Sequence, residues 1–412
     1  MNASRLGMLA RALTDGPLTR RTLSRGLVGA AAVLSLGVFD AADLDARKRR
    51  KKRKRKGNKR RGGNGGGGGG NERCEFTLCE GQCIDLDTDP NNCGACGDAC
   101  PEGTSCVGGL CAFAVGTSGS GRRKFDGPAG VAFDANGNSF AADANNHRVA
   151  RFAGLLAFDS FGERGQGDGQ FLEPGGVVLD FDGDIFVTDV DRQRIQRFDA
   201  NGNFEAGSGS FGSGLGRFNS PRDLAFSTRT GLVYVADTVN HSIQRITRAF
   251  FAVDRIGRQG SGNGEFNFPQ GITFTNSSNL IVADTGNHRV QVLQDTGPFI
   301  RAFGRQGSGD GEFNSPTGVA FDILTGDILV VDRGNNRIQR FTSQGQFIKA
   351  FGRQGNGVGE FDQPFGIAST NEGFFMVSDQ GNDRVQFFFR PSLVQSAAVQ
   401  EHLQIARKES RP

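Results

Sequence analysis

The stretch 313–351, FNSPTGVAFDILTGDILVVDRGNNRIQRFTSQGQFIKAF, decides the fold. It opens on Phe313 and Pro316, runs through the apolar Val319-Ala320-Phe321, turns, and resumes at Ile328 to Val331 before Asp332. Four loop residues lead to Arg337, which opens a third run, and Phe347 to Phe351 supplies a fourth. Short runs separated by Gly, Asn and Asp turns read as an antiparallel four-stranded sheet, with Gly334 and Asn335 expected to carry the positive φ of the central turn. The first run is apolar on both pleat faces, as befits a strand sandwiched between neighbouring sheets. The pattern recurs, aligned on Pro128, Pro174, Pro221, Pro269, Pro316 and Pro364, every 46 to 48 residues. Six such units predict an all-β fold, a six-bladed β-propeller of four-stranded antiparallel blades.

An Asp before the central turn and an Arg after it recur as Asp143 with Arg148, Asp189 with Arg194, Asp284 with Arg289, Asp332 with Arg337 and Asp379 with Arg384; the third copy has Ser242 opposite Asp237. A pair repeated in nearly every blade serves the fold, so these are expected to be hairpin clamps rather than catalytic groups. The spacing from each outer-strand Gly to the next Pro is twelve residues for Gly162, Gly257, Gly304 and Gly352, and nine for Gly212. Gly116 also lies twelve residues before Pro128, so CAFAVG at 111–116 has the place of an outer strand with no blade before it. Pro391 interrupts the sixth copy after its third strand. Pairing 111–116 with that blade is expected to close the ring and remove an open sheet edge.

FGRQGSGDGEFNSPTGVAFD at 303–322 and IVADTGNHRVQVL at 281–293 resemble the NHL repeat. The resemblance implies a six-bladed propeller acting as a disc-shaped binding platform, and it leaves the ligand open. Families with this repeat include bacterial extracytoplasmic proteins, animal RNA-binding and ubiquitin-ligase proteins, and the related peptidyl-hydroxyglycine lyases, which hold a metal near the axis.

The net charge of +4 hides two opposed regions. Residues 47–61, RKRRKKRKRKGNKRR, carry 13 basic groups, and without them the balance is −9. Residues 112–412 hold 29 Lys/Arg against 32 Asp/Glu, the wrong sign for a phosphate-tracking groove. Upstream, Thr19-Arg20-Arg21-Thr22-Leu23 precedes an apolar run from Gly26 to Phe39. This resembles a twin-arginine signal peptide, expected to span 1–46, and the apolar run is short for a membrane span. The basic run resists translocation, and nuclear localisation is its rival reading. With GGNGGGGGG at 62–70 it makes 47–72 a disordered linker, either merely solvated or in electrostatic contact with an anionic envelope.

All eight cysteines, Cys74, Cys79, Cys83, Cys93, Cys96, Cys100, Cys106 and Cys111, fall in one short segment. They read as a four-disulfide module over 73–111, with connectivity open, and the oxidised state agrees with export to the cell surface or medium. CIDLDTDPNNCGACGDAC at 83–100 is similar to Cys-rich repeats of bacterial surface proteins and plant stigma-specific proteins. Zinc is the alternative, because Cys93 and Cys96 have ligand-like spacing.

The expected propeller, 111–390, offers no catalytic constellation at its axis. Its inner strands, GVAFD, GVVLD, DLAFS, GITFT, GVAFD and GIAST, contain no His, Cys, Tyr or Lys. Asp134, Asp180, Asp223 and Asp322 near their ends suit either strand-end turns or calcium. The connections carry Arg258, Arg305 and Arg353, and the central turns carry His147, His241 and His288 on the same face. These six are the expected binding residues, the arginines offering forked donors and the histidines shaping the rim, with loop-internal bonding or a solvated position as the bland alternatives. The sequence therefore reads as an exported, non-enzymatic scaffold for a protein or polyanionic cell-surface ligand, with no cofactor and a tail at 391–412 that could be helical. A metal-dependent lyase or hydrolase at the axis, and an intracellular RNA-binding or ubiquitin-pathway scaffold, are the competing readings.

Overall fold

A computed structural model of the chain describes residues 77–80, 82–153 and 157–393. The expected signal peptide, the basic linker, Cys74 and the tail beyond residue 393 lie outside the described residues. Within them every regular element is a strand or a single 3-10 turn, and no helix is long and apolar enough to cross a membrane.

The six repeats form six sheets arranged as blades. Blades 1 to 5 begin at Pro128, Pro174, Pro221, Pro269 and Pro316, and each is a four-stranded antiparallel sheet ordered from the inside outwards. Blade 6 takes three strands, Pro364–Ser369, Phe375–Asp379 and Arg384–Phe389, from its own repeat. Leu110–Val115 supplies its fourth strand, in a register that runs from Val385↔Val115 to Phe389↔Cys111. The expected closure is present, and Ser105–Val107 adds a fifth strand beyond it.

Burial follows distance from the axis. The second strand of blade 5, Asp327–Asp332, is buried at every position, whereas the outer strand of blade 2, Phe204–Ser208, alternates between half-buried and exposed. Inner strands crowd so closely that only glycine fits two residues after the leading proline in most blades. A Cβ on Gly130 would lie 2.5 Å from the Gly175 carbonyl oxygen, and one on Gly318 would lie 2.7 Å from that of Phe365. A second glycine, following each outer strand, lets an aromatic ring dock. On Gly162 a Cβ would meet the Phe171 ring at 2.5 Å, and on Gly352 the Phe361 ring at 2.6 Å, while both rings are fully buried. In blade 2 this glycine is Gly209, which abuts Phe218, and not Gly212. The twelve-residue spacing is thus uniform; the Phe211-Gly212 pair imitates the end of an outer strand, but that strand closes at Ser208.

The clamps form as expected. Arg148, Arg289, Arg337 and Arg384 place Nε 2.7–2.8 Å from Oδ2 of Asp143, Asp284, Asp332 and Asp379, and Arg194 does so at 3.2 Å from Asp189. Each carboxylate is fully buried, and its other oxygen accepts a backbone N–H just ahead of the leading proline, as Asn314 donates to Asp332 at 2.7 Å. Blade 3 lacks the arginine. Gln244 and Asn240 still donate to Asp237 at 2.7 and 2.8 Å, as their equivalents do in blades 4 to 6, and Arg255 of the adjacent outer strand donates to the Ser213 carbonyl.

The Cys-rich module is oxidised: Cys79–Cys96, Cys93–Cys106 and Cys100–Cys111 are bonded, and Cys83 is also in a disulfide. Cys93 and Cys96 therefore belong to different bridges, which removes their zinc reading. The module shares the closing strand through Cys111 and leans on blade 5, where Lys349 Nζ pairs with Asp87 at 2.5 Å and donates to the Gly108 carbonyl at 2.9 Å.

Candidate functional site

Because each inner strand starts and each second strand ends on the same side, that upper face carries the blade connections and the central turns. The positive φ of each central turn falls one residue later than Gly334 and Asn335, on Asn336 and its equivalents His147, Gln193, His241, His288 and Asp383. The position is varied but not merely solvated. His241 and His288 accept, at Nδ1, the N–H of Phe268 and Ser315 at 3.0 Å. Gln193, Asn336 and Asp383 accept in the same way from Ser220, Gln363 and Gly127 of the following blade. His147 alone donates, from Nδ1 to the Leu172 carbonyl at 2.7 Å. These side chains staple successive blades, and burial lowers the His241 pKa against the opposing pull of Asp284.

The three expected arginines are engaged too. Arg258, Arg305 and Arg353 pair with Glu265, Glu312 and Glu360 of their own connections at 2.6–2.8 Å. The Arg258 side chain and then the Gly262 N–H hold Glu265 below the usual carboxylate range. Backbone N–H groups of Gly309 and Gly357, followed by the arginines, do so for Glu312 and Glu360. The three arginines thus each make an ion pair within the scaffold while their side chains stay largely exposed, and the histidines bond across the blade seams.

The lower face holds a cavity instead. Inner strands of all six blades line an axial funnel of about 470 Å³. Val131, Val177, Leu224, Ile272, Val319 and Ile367 ring its wall, and Phe133, Leu179, Phe226, Phe274 and Phe321 stand nearer its mouth. A second lobe over blades 1, 2 and 6 adds about 940 Å³ and brings Asp134, Asp180, Asp182 and Glu372 to the rim beside Arg151.

The one titratable side chain lining the funnel is Asp223, which stands where five other blades have Gly130, Gly176, Gly271, Gly318 and Gly366. Its Oδ2 accepts the Ile272 N–H at 2.9 Å, yet burial pushes its pKa up to about 6. The exception was visible in the sequence as the D of DLAFS among five strands opening with G. Asp134, Asp180 and Asp322 do not converge with it. Asp134 accepts from Asn136 and Asn138, Asp322 accepts from Leu324 and pairs with Arg390, and Asp180, together with Asp182 and Asp184, encloses the Arg248 guanidinium at 2.5, 2.6 and 3.2 Å. These carboxylates fit strand-end turns and an internal counter-charge, and they do not present a calcium cage.

Sequence reasoning passed over Gln196, Gln244, Gln291, Gln339 and Gln386. Each is fully buried, accepts a Gly N–H and donates to a carbonyl of the connection, as Gln339 does with Gly311 at 3.0 Å and Glu312 at 2.6 Å. A polar residue two places after the clamp position in five of six copies was the available signal.

Sheet order, ring closure and funnel define a six-bladed β-propeller. The chain carries NHL repeats, matched at 171–198, 218–246, 266–293 and 313–341, and a module over 60–114 that matches the stigma-specific STIG1-like protein family. No curated protein matches the chain. Among solved structures it is similar to a protein of unknown function from Bacteroides thetaiotaomicron at 15% identity and TM-score 0.52, covering 68% of this chain and 76% of that one. It is also similar to a gluconolactonase from Xanthomonas campestris, at 16% identity and TM-score 0.49, over 64% and 86% of the two chains. A third is virginiamycin B lyase from Staphylococcus aureus, at 16% and 0.45, over 63% and 79%. At these identities the likeness shows the fold alone.

Proposed function

We propose that this protein is an exported, non-enzymatic binding platform that receives an apolar element of a macromolecular ligand in the lower-face funnel. The observation that carries this reading is the lining: aliphatic and aromatic residues from all six blades, edged by polar Thr228, Thr275, Asn276, Thr370 and Asn371, with Asp223 as the single titratable group. The apolar part of such a surface is removed from water at about 25 cal/mol per Å². A lone carboxylate has no adjacent base, nucleophile or second acid with which to divide proton transfer. The disulfides are compatible with an oxidising compartment, and the basic run 47–61 supplies a polycation for an anionic envelope.

The test is titration with N-phenyl-1-naphthylamine, an uncharged probe that fluoresces when taken out of water. Saturable binding to the full chain is expected, weakened at least fivefold by Val319→Gln. Absence of saturation, or indifference to that substitution, would refute the funnel as a binding site. Turnover of lactones or cyclic peptides that Asp223→Asn abolishes would instead establish an axial enzyme.

A further inference from the structure

On the upper face, where the inner strands begin, the chemistry is opposite to that of the funnel. Arg222 follows the leading proline of blade 3, and Arg333 follows Asp332 where the second strand of blade 5 ends. Arg222 Nη1 reaches Glu173 of blade 2 at 2.9 Å. Arg333 crosses to blade 6, where Nη2 donates to Oε1 of Gln363 and of Gln380, each at 2.9 Å, and the guanidinium lies 5.3 Å from the centre of the Phe365 ring.

Among the described residues no carboxylate pairs with Arg333. An arginine has five N–H donors in a planar fork, and the two bonds to glutamine leave Nε and Nη1 with no protein acceptor among those residues. The equivalent positions in other blades are Ala144, Val190, Thr238, Thr285 and Gln380, so an arginine is not required by the packing of a blade. Burial, and then the charge of Arg222, pull the Arg333 pKa below its ordinary value. Arg222 is matched on this face by Glu173 and its neighbour Asp191; burial raises the Glu173 pKa, Arg222 pulls it down, and Asp191 adds to the rise. A half-buried guanidinium without a carboxylate partner, as at Arg333, favours an incoming anion.

We propose that Arg333 forms a carboxylate clamp on the upper face, with its planar fork as the donor and Gln363, Gln380 and Phe365 fixing its orientation. The Arg222–Glu173 pair on the same face is an example of the chemistry such a fork accepts. Planar bidentate recognition suits a carboxylate, and the aromatic ring beneath Arg333 keeps the fork aligned. The clamp does not depend on the funnel, which opens on the opposite face.

The full chain is titrated with N-acetyl-trialanine bearing a free C-terminus, with the same peptide as its C-terminal amide, with succinate and with inorganic phosphate. Saturable binding of the free-acid peptide or of succinate is expected, and the two arms separate a peptide terminus from a free dicarboxylate. Arg333→Gln should weaken binding at least tenfold and leave the melting temperature within a few degrees, while Arg333→Lys should retain part of the affinity. Equal binding of the amide, binding of phosphate without either carboxylate, no saturable binding, or full affinity in Arg333→Gln would each overturn the clamp.

Discussion

Asp223 occupies a ring position that elsewhere is glycine because the next inner strand lies against it. Gly176 illustrates the crowding, since a Cβ there would come 2.7 Å from the Asp223 Cα. A carboxylate fits in blade 3 because it finds the Ile272 N–H, but one hydrogen bond does not replace the water it loses. Folding raises this pKa to about 6 from 3.8, so between those values the folded chain holds more protons than the unfolded chain. Stability must then fall as pH climbs through that window and remain lower above it. The full linkage is about 3 kcal/mol, and water entering the open funnel reduces it to about 1–2 kcal/mol. Asp223→Asn keeps an acceptor for Ile272 and removes the charge. In urea denaturation the variant is expected to exceed the wild type by about 1–2 kcal/mol at pH 7.5 and to match it at pH 3.5. Equal stabilities at both values would mean that the carboxylate is hydrated, and the apolar account of the funnel would fail with it.

The turn between second and third strands shows what the sequence discloses about an element and what it conceals. Asp332, Arg337 and their equivalents were legible as clamps because identical residue types recur at fixed spacing and opposite charge. The staple residue was not, because His, Gln, Asn and Asp alternate there. What the position requires is a left-handed backbone and a side-chain acceptor reaching the next blade, and several residue types meet both conditions. The glutamate partners of Arg258, Arg305 and Arg353 were concealed for a related reason: each sits seven residues away across a Gly-rich connection whose folding back is not apparent in linear spacing. Staple chemistry makes a sharp expectation for pH. His241 must be neutral to accept from Phe268, and its folded pKa is lowered by burial. Its contribution is complete above the unfolded value of about 6.5 and is lost as pH falls through the folded value. The ring is only partly buried, so the loss is small. His241→Gln copies the staple of blade 2 without a titrating group; it should leave stability unchanged at pH 7.5 and lessen the decline in melting temperature between pH 7 and pH 5. A decline of the same size in the variant would place the titration elsewhere.

At the scale of the whole molecule, closure joins the two ends of the described chain and ties the disulfide module to the propeller. Blade 6 without Leu110–Val115 would expose the edge of Arg384–Phe389, a strand whose Phe387, Phe388 and Phe389 are fully buried in the closed ring. Phe113 stacks on Phe387 with centroids 5.0 Å apart, and Phe152 of blade 1 meets Phe387 edge-on at 5.9 Å, so the closing strand seals the core at the junction of first and last blades. Cys100–Cys111 and Cys93–Cys106 anchor the closing strand and the fifth strand beside it, which makes the module a brace for closure and not an appendage. A chain beginning at residue 73 keeps seam and brace, and it is expected to unfold in one cooperative transition as a monomer. A chain beginning at residue 116 loses both. An open apolar edge of this kind pairs with other copies, so that chain should aggregate or melt at least 15 °C lower. Cys100→Ser/Cys111→Ser, which cuts one bridge and leaves the strand, should fall between them, at about 2–4 kcal/mol below the intact protein. Scanning calorimetry with light scattering orders the three. A residue-116 chain as stable and monodisperse as the residue-73 chain would show that five full blades and three strands of the sixth hold together without closure.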